Sequence, residues 1–141
     1  MRMPLLFVGH GSPMNAIENN RFTEEWEKIG QSVKPEAILM LSAHWFTQGS
    51  FIQDSQHPRI INDMYGFPRD LYHVGYHVKG HQQLTDDVIS LISSTVLINN
   101  DWGIDHGAWS VLNHMYPKKD IPVVQLSIDA NKNNEEKFHI G

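Results

Sequence analysis

Hydrophobic positions along this chain fall into short continuous runs, separated by stretches with helical spacing. The first run, residues 4–8, is wholly apolar and predicts a strand buried on both faces. Phe22, Trp26 and Ile29 then recur at i, i+4 and i+7, which predicts a helix over about 21–29 with one inward face. Its ends are marked. Asn19 or Asn20 can cap it, Glu24 and Glu25 lie in the first turn, Lys28 lies in the last, and Gly30 follows. Residues 37–41 form a second buried run. Strand, helix and strand in this order imply a βαβ unit with parallel neighbours and a right-handed crossover.

The middle is less regular. Residues 51–53 read as a short strand and 62–68, "NDMYGFP", as a loop. Over 72–79 the residues alternate, with Tyr72, Val74, Tyr76 and Val78 on one predicted strand face and His73, Gly75, His77 and Lys79 on the other. A helix is predicted over 81–93, with Leu84, Val88, Leu91 and Ile92 facing inward, then a buried strand over 95–98. A loop precedes a helix over about 108–115, and residues 122–127, "PVVQLS", are a further strand. "NKNNEEKFHIG" has an Asn cap and two glutamates, the start of a helix that the chain carries for about one more turn. The expectation is an α/β fold with a largely parallel central sheet flanked by helices, incomplete at the C-terminus.

Composition narrows the function. At 141 residues the chain is expected to be a single domain, residues 1–141. Net charge is −5 with Lys and Arg scattered singly, which argues against a nucleic-acid partner. No apolar run approaches the roughly 18 residues of a membrane span, and no signal-peptide core is evident, so a cytoplasmic address is expected. With no cysteine, disulfides, thiolate nucleophiles and Cys-ligated metals are excluded. Any metal must be held by His, Asp or Glu, and nine histidines are the one oddity of the composition.

Three histidines have a suggestive setting. His10 in "LLFVGHGSP" and His44 in "LSAHW" each stand just past the end of a predicted buried strand, where open α/β sheets bind ligands. If those strands are neighbours, both imidazoles reach one crevice, and two neutral imidazoles suit a divalent first-row metal. Position alone equally allows two loop histidines bonded to backbone. His106, in "DHG" before a helix, reads as a third ligand, as a general acid/base, or as the neighbour of a capping Asp105; spacing favours the last. His73 and His77 are expected to share a solvated face, and His57, His81, His114 and His139 to be surface or helix-face residues. Trp45, Phe46, Trp102 and Trp109 are expected in the core, Trp45 as a wall of the site. Ser12 lacks a nucleophile-elbow context, and Gly9-His10-Gly11 lacks the third glycine of a dinucleotide loop.

Taken together and in register, "GHGSPM", "SAHWF", "GFP..LY", "DHGAWSVL" and "IPVVQLSI" resemble the 4,5-DOPA extradiol dioxygenase family over the whole chain. That family belongs to the class III extradiol ring-cleaving dioxygenases, related in fold to the catalytic subunit of protocatechuate 4,5-dioxygenase. The resemblance implies His10 and His44 as metal ligands and His106 as a proton donor/acceptor or substrate contact. It implies Fe(II) as the catalytic metal, with Zn(II) able to occupy the same site, and a small aromatic catechol such as DOPA plus O2 as reactants. Family members exceed two hundred residues and draw further ligands from a later half, so a fragment with exposed sheet edges, prone to self-association, is expected. The "YGFP" loop, 65–68, is expected near the substrate. Two other readings remain: a zinc-dependent hydrolase-type site, and a non-catalytic binding protein or inactive fragment on the same fold.

Overall fold

A computed structural model describes residues 2–141. The elements positioning the site are α1 (Arg21–Ser32), β1 (Ile38–Thr47), β2 (Ser50–Ile52), β3 (Arg59–Ile60), α2 (Gln82–Leu91), β4 (Val96–Ile98), β5 (Gly103–Ile104), α3 (His106–Met115), β6 (Val123–Asp129) and α4 (Asn134–Ile140). Two 3-10 turns, Pro13–Ala16 and Arg69–His73, complete the regular structure. The main sheet runs β1-β6-β2-β4, parallel except at the β6/β2 pair, and β3 pairs with β5 in a small parallel sheet. The expected α/β class with a mostly parallel sheet flanked by helices is therefore observed.

The position of β6 between β1 and β2 explains its nearly continuous burial. Successive residues point to opposite faces. Val123 joins the core built on Trp109 and Leu112 of α3, whereas Val124 and Leu126 meet Val88 of α2. Helix α1 packs on α3 rather than on the sheet, through Trp26, Val111 and Met115. Gly30 allows this approach, since a Cβ there would lie 2.0 Å from the backbone oxygen of Met115. Asn20, not Asn19, caps α1, with Thr23 completing a reciprocal capping box. Asn133 and Glu136 cap α4 in the same way.

Several expectations need correction. Residues 4–8 form no strand, and Leu5 and Phe7 are fully exposed. An apolar run becomes a strand only when a neighbour takes its backbone hydrogen bonds, and among the described residues β1 pairs with β6 alone. The βαβ unit is consequently made elsewhere, by β2, α2 and β4. Strand β4 is an edge strand with Leu97 and Ile98 exposed, not a buried one. Over 72–79 the alternation of burial is real, with Tyr76 and Val78 inside, yet the backbone forms a 3-10 turn and an extended loop without a ladder. Phe46, expected in the core, is exposed, and His114, a residue of α3, faces inward and is buried. Among the described residues, no helix is long and apolar enough to cross a membrane.

Candidate metal centre

His44 reaches the site because β1 is irregular. Leu41 pairs with Leu126 and Phe46 with Ile128, so five steps along β1 match two along β6. The extra residues bulge, and a bulge re-aims the side chains it carries. Ser42 secures it, accepting from the His44 amide at 3.2 Å and donating to Asp105 Oδ1 at 2.7 Å.

His10 arrives by a different route from the one its sequence context suggests. Gly11 follows it with φ +63°, a left-handed conformation that turns the chain into the 3-10 turn at Pro13–Ala16. Gly9 needs no such freedom; nothing lies within 4 Å of a Cβ placed there. The side-chain Nδ2 of Asn15 donates to the His10 carbonyl at 2.9 Å. That turn is docked on α3: Asn113 Nδ2 donates to the Ala16 carbonyl, and His114 Nε2 to the Asn15 carbonyl at 2.6 Å. His10 is thus placed by helix docking, not by a strand end.

His106 is the first residue of α3 and is buried. The helix is capped by Asp105, as its sequence position suggested, but the carboxylate does more than cap. It is fully buried and accepts from Ser42 Oγ, Gln125 Nε2 at 2.6 Å, Trp102 Nε1 at 2.9 Å and the Ala108 amide. One carboxylate therefore locks the β1 bulge, β6 and the start of α3 together, and a buried anion so satisfied costs little.

The three imidazoles converge. One ring nitrogen from each of His10, His44 and His106 lies within 4.8 Å of the other two. His10 Nε2 stands 3.1 Å from His44 Nε2, and the His44 and His106 ring centroids are 4.0 Å apart. Two nitrogens each about 2.0–2.1 Å from one ion would stand roughly 3 Å apart, so this donor pair fits a first-row divalent metal. Burial, then the neighbouring imidazoles of His106 and His44, hold the His10 pKa below its usual 6.5. The neutral form, the one that ligates, is favoured. Trp45 is buried beside His44 in sequence, as a wall residue would be. His73 and His77 are exposed and lie outside the cluster.

One participant had no distinctive signal. Asp63, in the loop after β3, sets Oδ1 2.8 Å from His106 Nδ1 and Oδ2 3.3 Å from His44 Nδ1. The His106 Nδ1 contact is close without the alignment of a hydrogen bond, whereas the His106 backbone amide donates squarely to Oδ1 at 2.9 Å. Only an acidic residue opening an otherwise apolar loop hints at it in the sequence.

A mostly parallel α/β sheet with three imidazoles gathered over buried carboxylates defines the class: a histidine-centred α/β protein. Within that class the comparisons are specific. The chain belongs to the family of the catalytic LigB subunit of aromatic ring-opening dioxygenase, whose profile matches residues 4–141. It is 45% identical, over 99% of its length, to 4,5-DOPA dioxygenase extradiol of Escherichia coli K12, covering 53% of that protein. It is 36% identical, over 96% of its length, to the Beta vulgaris protein of the same name, again covering 53% of it. The crystal structure of an uncharacterized protein from Escherichia coli K12 superposes with a TM-score of 0.68 at 37% identity, over 86% of this chain and 46% of that one. The chain thus spans about half the length of the curated relatives it matches.

Proposed function

We propose that this chain carries a metal-binding part of an extradiol dioxygenase domain, acting on a small catechol of the DOPA type with O2. The observation that carries the reading is the convergence of His10, His44 and His106, each of which brings one ring nitrogen within 4.8 Å of those of the other two. Family membership and the names of the relatives support it.

His10 and His44 are the proposed ligands, each offering Nε2 as a neutral donor. Fe(II) bound there would supply a redox-active centre with open positions, whereas zinc at the same histidines would supply Lewis acidity alone. His106 is the proposed proton-handling residue. It is buried, its ring meets His10 edge-on at 5.2 Å, and Asp63 faces its Nδ1, so Nε2 is left for exchange with a catechol hydroxyl. Histidine is the side chain that most often takes and returns a proton in such a step. The loop at 65–68, two residues beyond Asp63, is the proposed rim on the substrate side, with the Tyr65 ring exposed and Phe67 packed on the core.

The test is metal content by elemental mass spectrometry after anaerobic loading with Fe(II) and desalting, followed by oxygen uptake with DOPA. Near one iron per chain, lost in His10→Ala and His44→Ala, is expected. A chain that retains no metal defeats the reading. Turnover of an ester or amide without oxygen, on the zinc-loaded chain, would favour the hydrolase alternative.

A further inference from the structure

The loop holding Asp63 is pinned before it reaches the histidines. Strand β3 pairs with β5, aligning Ile60 with Ile104, and the Ile61 amide donates to the Ile104 carbonyl at 2.9 Å. The Ile61 carbonyl in turn accepts from Trp109 Nε1 at 3.0 Å. Because β5 leads directly into α3, this pairing brings Asp63 alongside His106 from a chain position 43 residues earlier. The side chain is only 14% exposed, and its two oxygens are divided between two imidazoles from different elements.

We propose that Asp63 is a positioning residue that sets the tautomer and orientation of His44 and His106 together, presenting Nε2 of each to the centre. The inference deepens the metal reading and rests on it. An ionised carboxylate can only accept, so a proton on the imidazole nitrogen beside it is favoured by charge even where, as at His106, the contact falls short of hydrogen-bond alignment. With Asp63 on the Nδ1 side of both rings, both Nε2 atoms are left unprotonated. The His10–His44 contact agrees: His10 Nε2–H can donate across 3.1 Å to the bare Nε2 of His44. Metal binding then needs to displace that one proton. Carboxylates behind ligating histidines commonly change metal affinity by about 10–100-fold.

A purely structural role is the competing account, since Asp63 Oδ1 also accepts the first amide of α3. Asp63→Asn separates the two. Its amide oxygen can keep the His106 backbone bond, while its NH2 group, placed toward His44, requires Nδ1 to accept and moves the proton to Nε2. Two readouts are taken: imidazole 15N shifts of the metal-free protein above neutral pH, and Zn(II) affinity by competition with a chromogenic chelator. The expected result is Nδ1–H at His44 and His106 in the wild type. In Asp63→Asn, His44 moves to Nε2–H, and zinc affinity falls about 10–100-fold with metal-free unfolding little changed. Nε2–H at either histidine in the wild type, or a variant with wild-type tautomers and affinity, overturns the proposal. A wild-type chain that takes up no zinc or iron defeats the metal reading instead, and the 15N shifts still decide the role of Asp63. If Asp63→Asn does not fold, the wild-type shifts alone decide it.

Discussion

Gly107 is packed against His44 so closely that a Cβ at 107 would lie 2.6 Å from the imidazole Cδ2 and 2.7 Å from Ser42 Oγ. The glycine after His106 is therefore required by the neighbouring strand bulge and not by its own backbone angle. Two effects oppose each other in Gly107→Ala. Alanine gains about 1 kcal/mol of helix propensity, while overpacking at a filled site costs about 1–3 kcal/mol. The atoms that must yield are His44 and the serine that anchors its bulge, so the loss should win. Urea unfolding is expected to give a less stable protein, and chelator competition a weaker metal site. A variant more stable than wild type with full metal affinity would show that the bulge yields freely.

His106→Gln separates ligand from proton carrier. If His10 and His44 are the ligands, the variant keeps its iron while catechol cleavage falls by about 10²–10⁴, the usual share of general acid–base catalysis. Metal content and oxygen uptake on the same preparation decide it. Loss of iron together with activity would instead make His106 the third ligand.

The parts of this molecule that were legible in its sequence are those whose signal is local. The cap of α1, the capping box of α4, the burial of β6 and the Asp105 cap of α3 each follow from residues within one turn or one strand. The meeting of His10 and His44 was anticipated for a reason that the structure does not support. Among the described residues no strand precedes His10; docking of the Pro13–Ala16 turn on α3 places it, and a three-residue bulge, invisible in a hydrophobic pattern, aims His44. Asp63 and the wider role of Asp105 could not be read because the partners that define them lie 19 to 63 residues away. Leu5 and Phe7 were misjudged for the converse reason: an apolar run states a preference for burial but not whether a partner strand is there to receive it.

His114 was expected on the surface or on a helix face; it lies on α3, and its burial there gives it a testable task. Its Nε2 donates to the Asn15 carbonyl at 2.6 Å, and its Nδ1 lies 3.4 Å from Glu27 of α1. In His114→Leu the part-buried Asn15 carbonyl loses its donor, a loss of about 1 kcal/mol. Because Asn15 also holds the His10 carbonyl, metal affinity should fall with stability. Urea unfolding and zinc titration of the variant check both parts. A destabilised protein with unchanged affinity would mean that His10 is positioned independently of the turn.

Acid should reveal a third carboxylate, remote from the histidines. Burial tends to raise the Asp129 pKa, but hydrogen bonds from the Asn131 and Gly49 amides, with Lys132 and Lys137 nearby, outweigh it and hold the group below its usual 3.8. A carboxyl depressed in the folded state contributes stability that is fully present above the unfolded pKa and is lost as pH falls through the folded one. Between those two values the unfolded chain binds the extra proton. Asp129→Asn should therefore be less stable than wild type at pH 7, and the gap should narrow as pH falls below about 4. Urea unfolding of both proteins across pH 2–7 measures it. A gap that stays constant over that range would mean that the Gly49 and Asn131 bonds act through geometry alone, with no contribution from the charge.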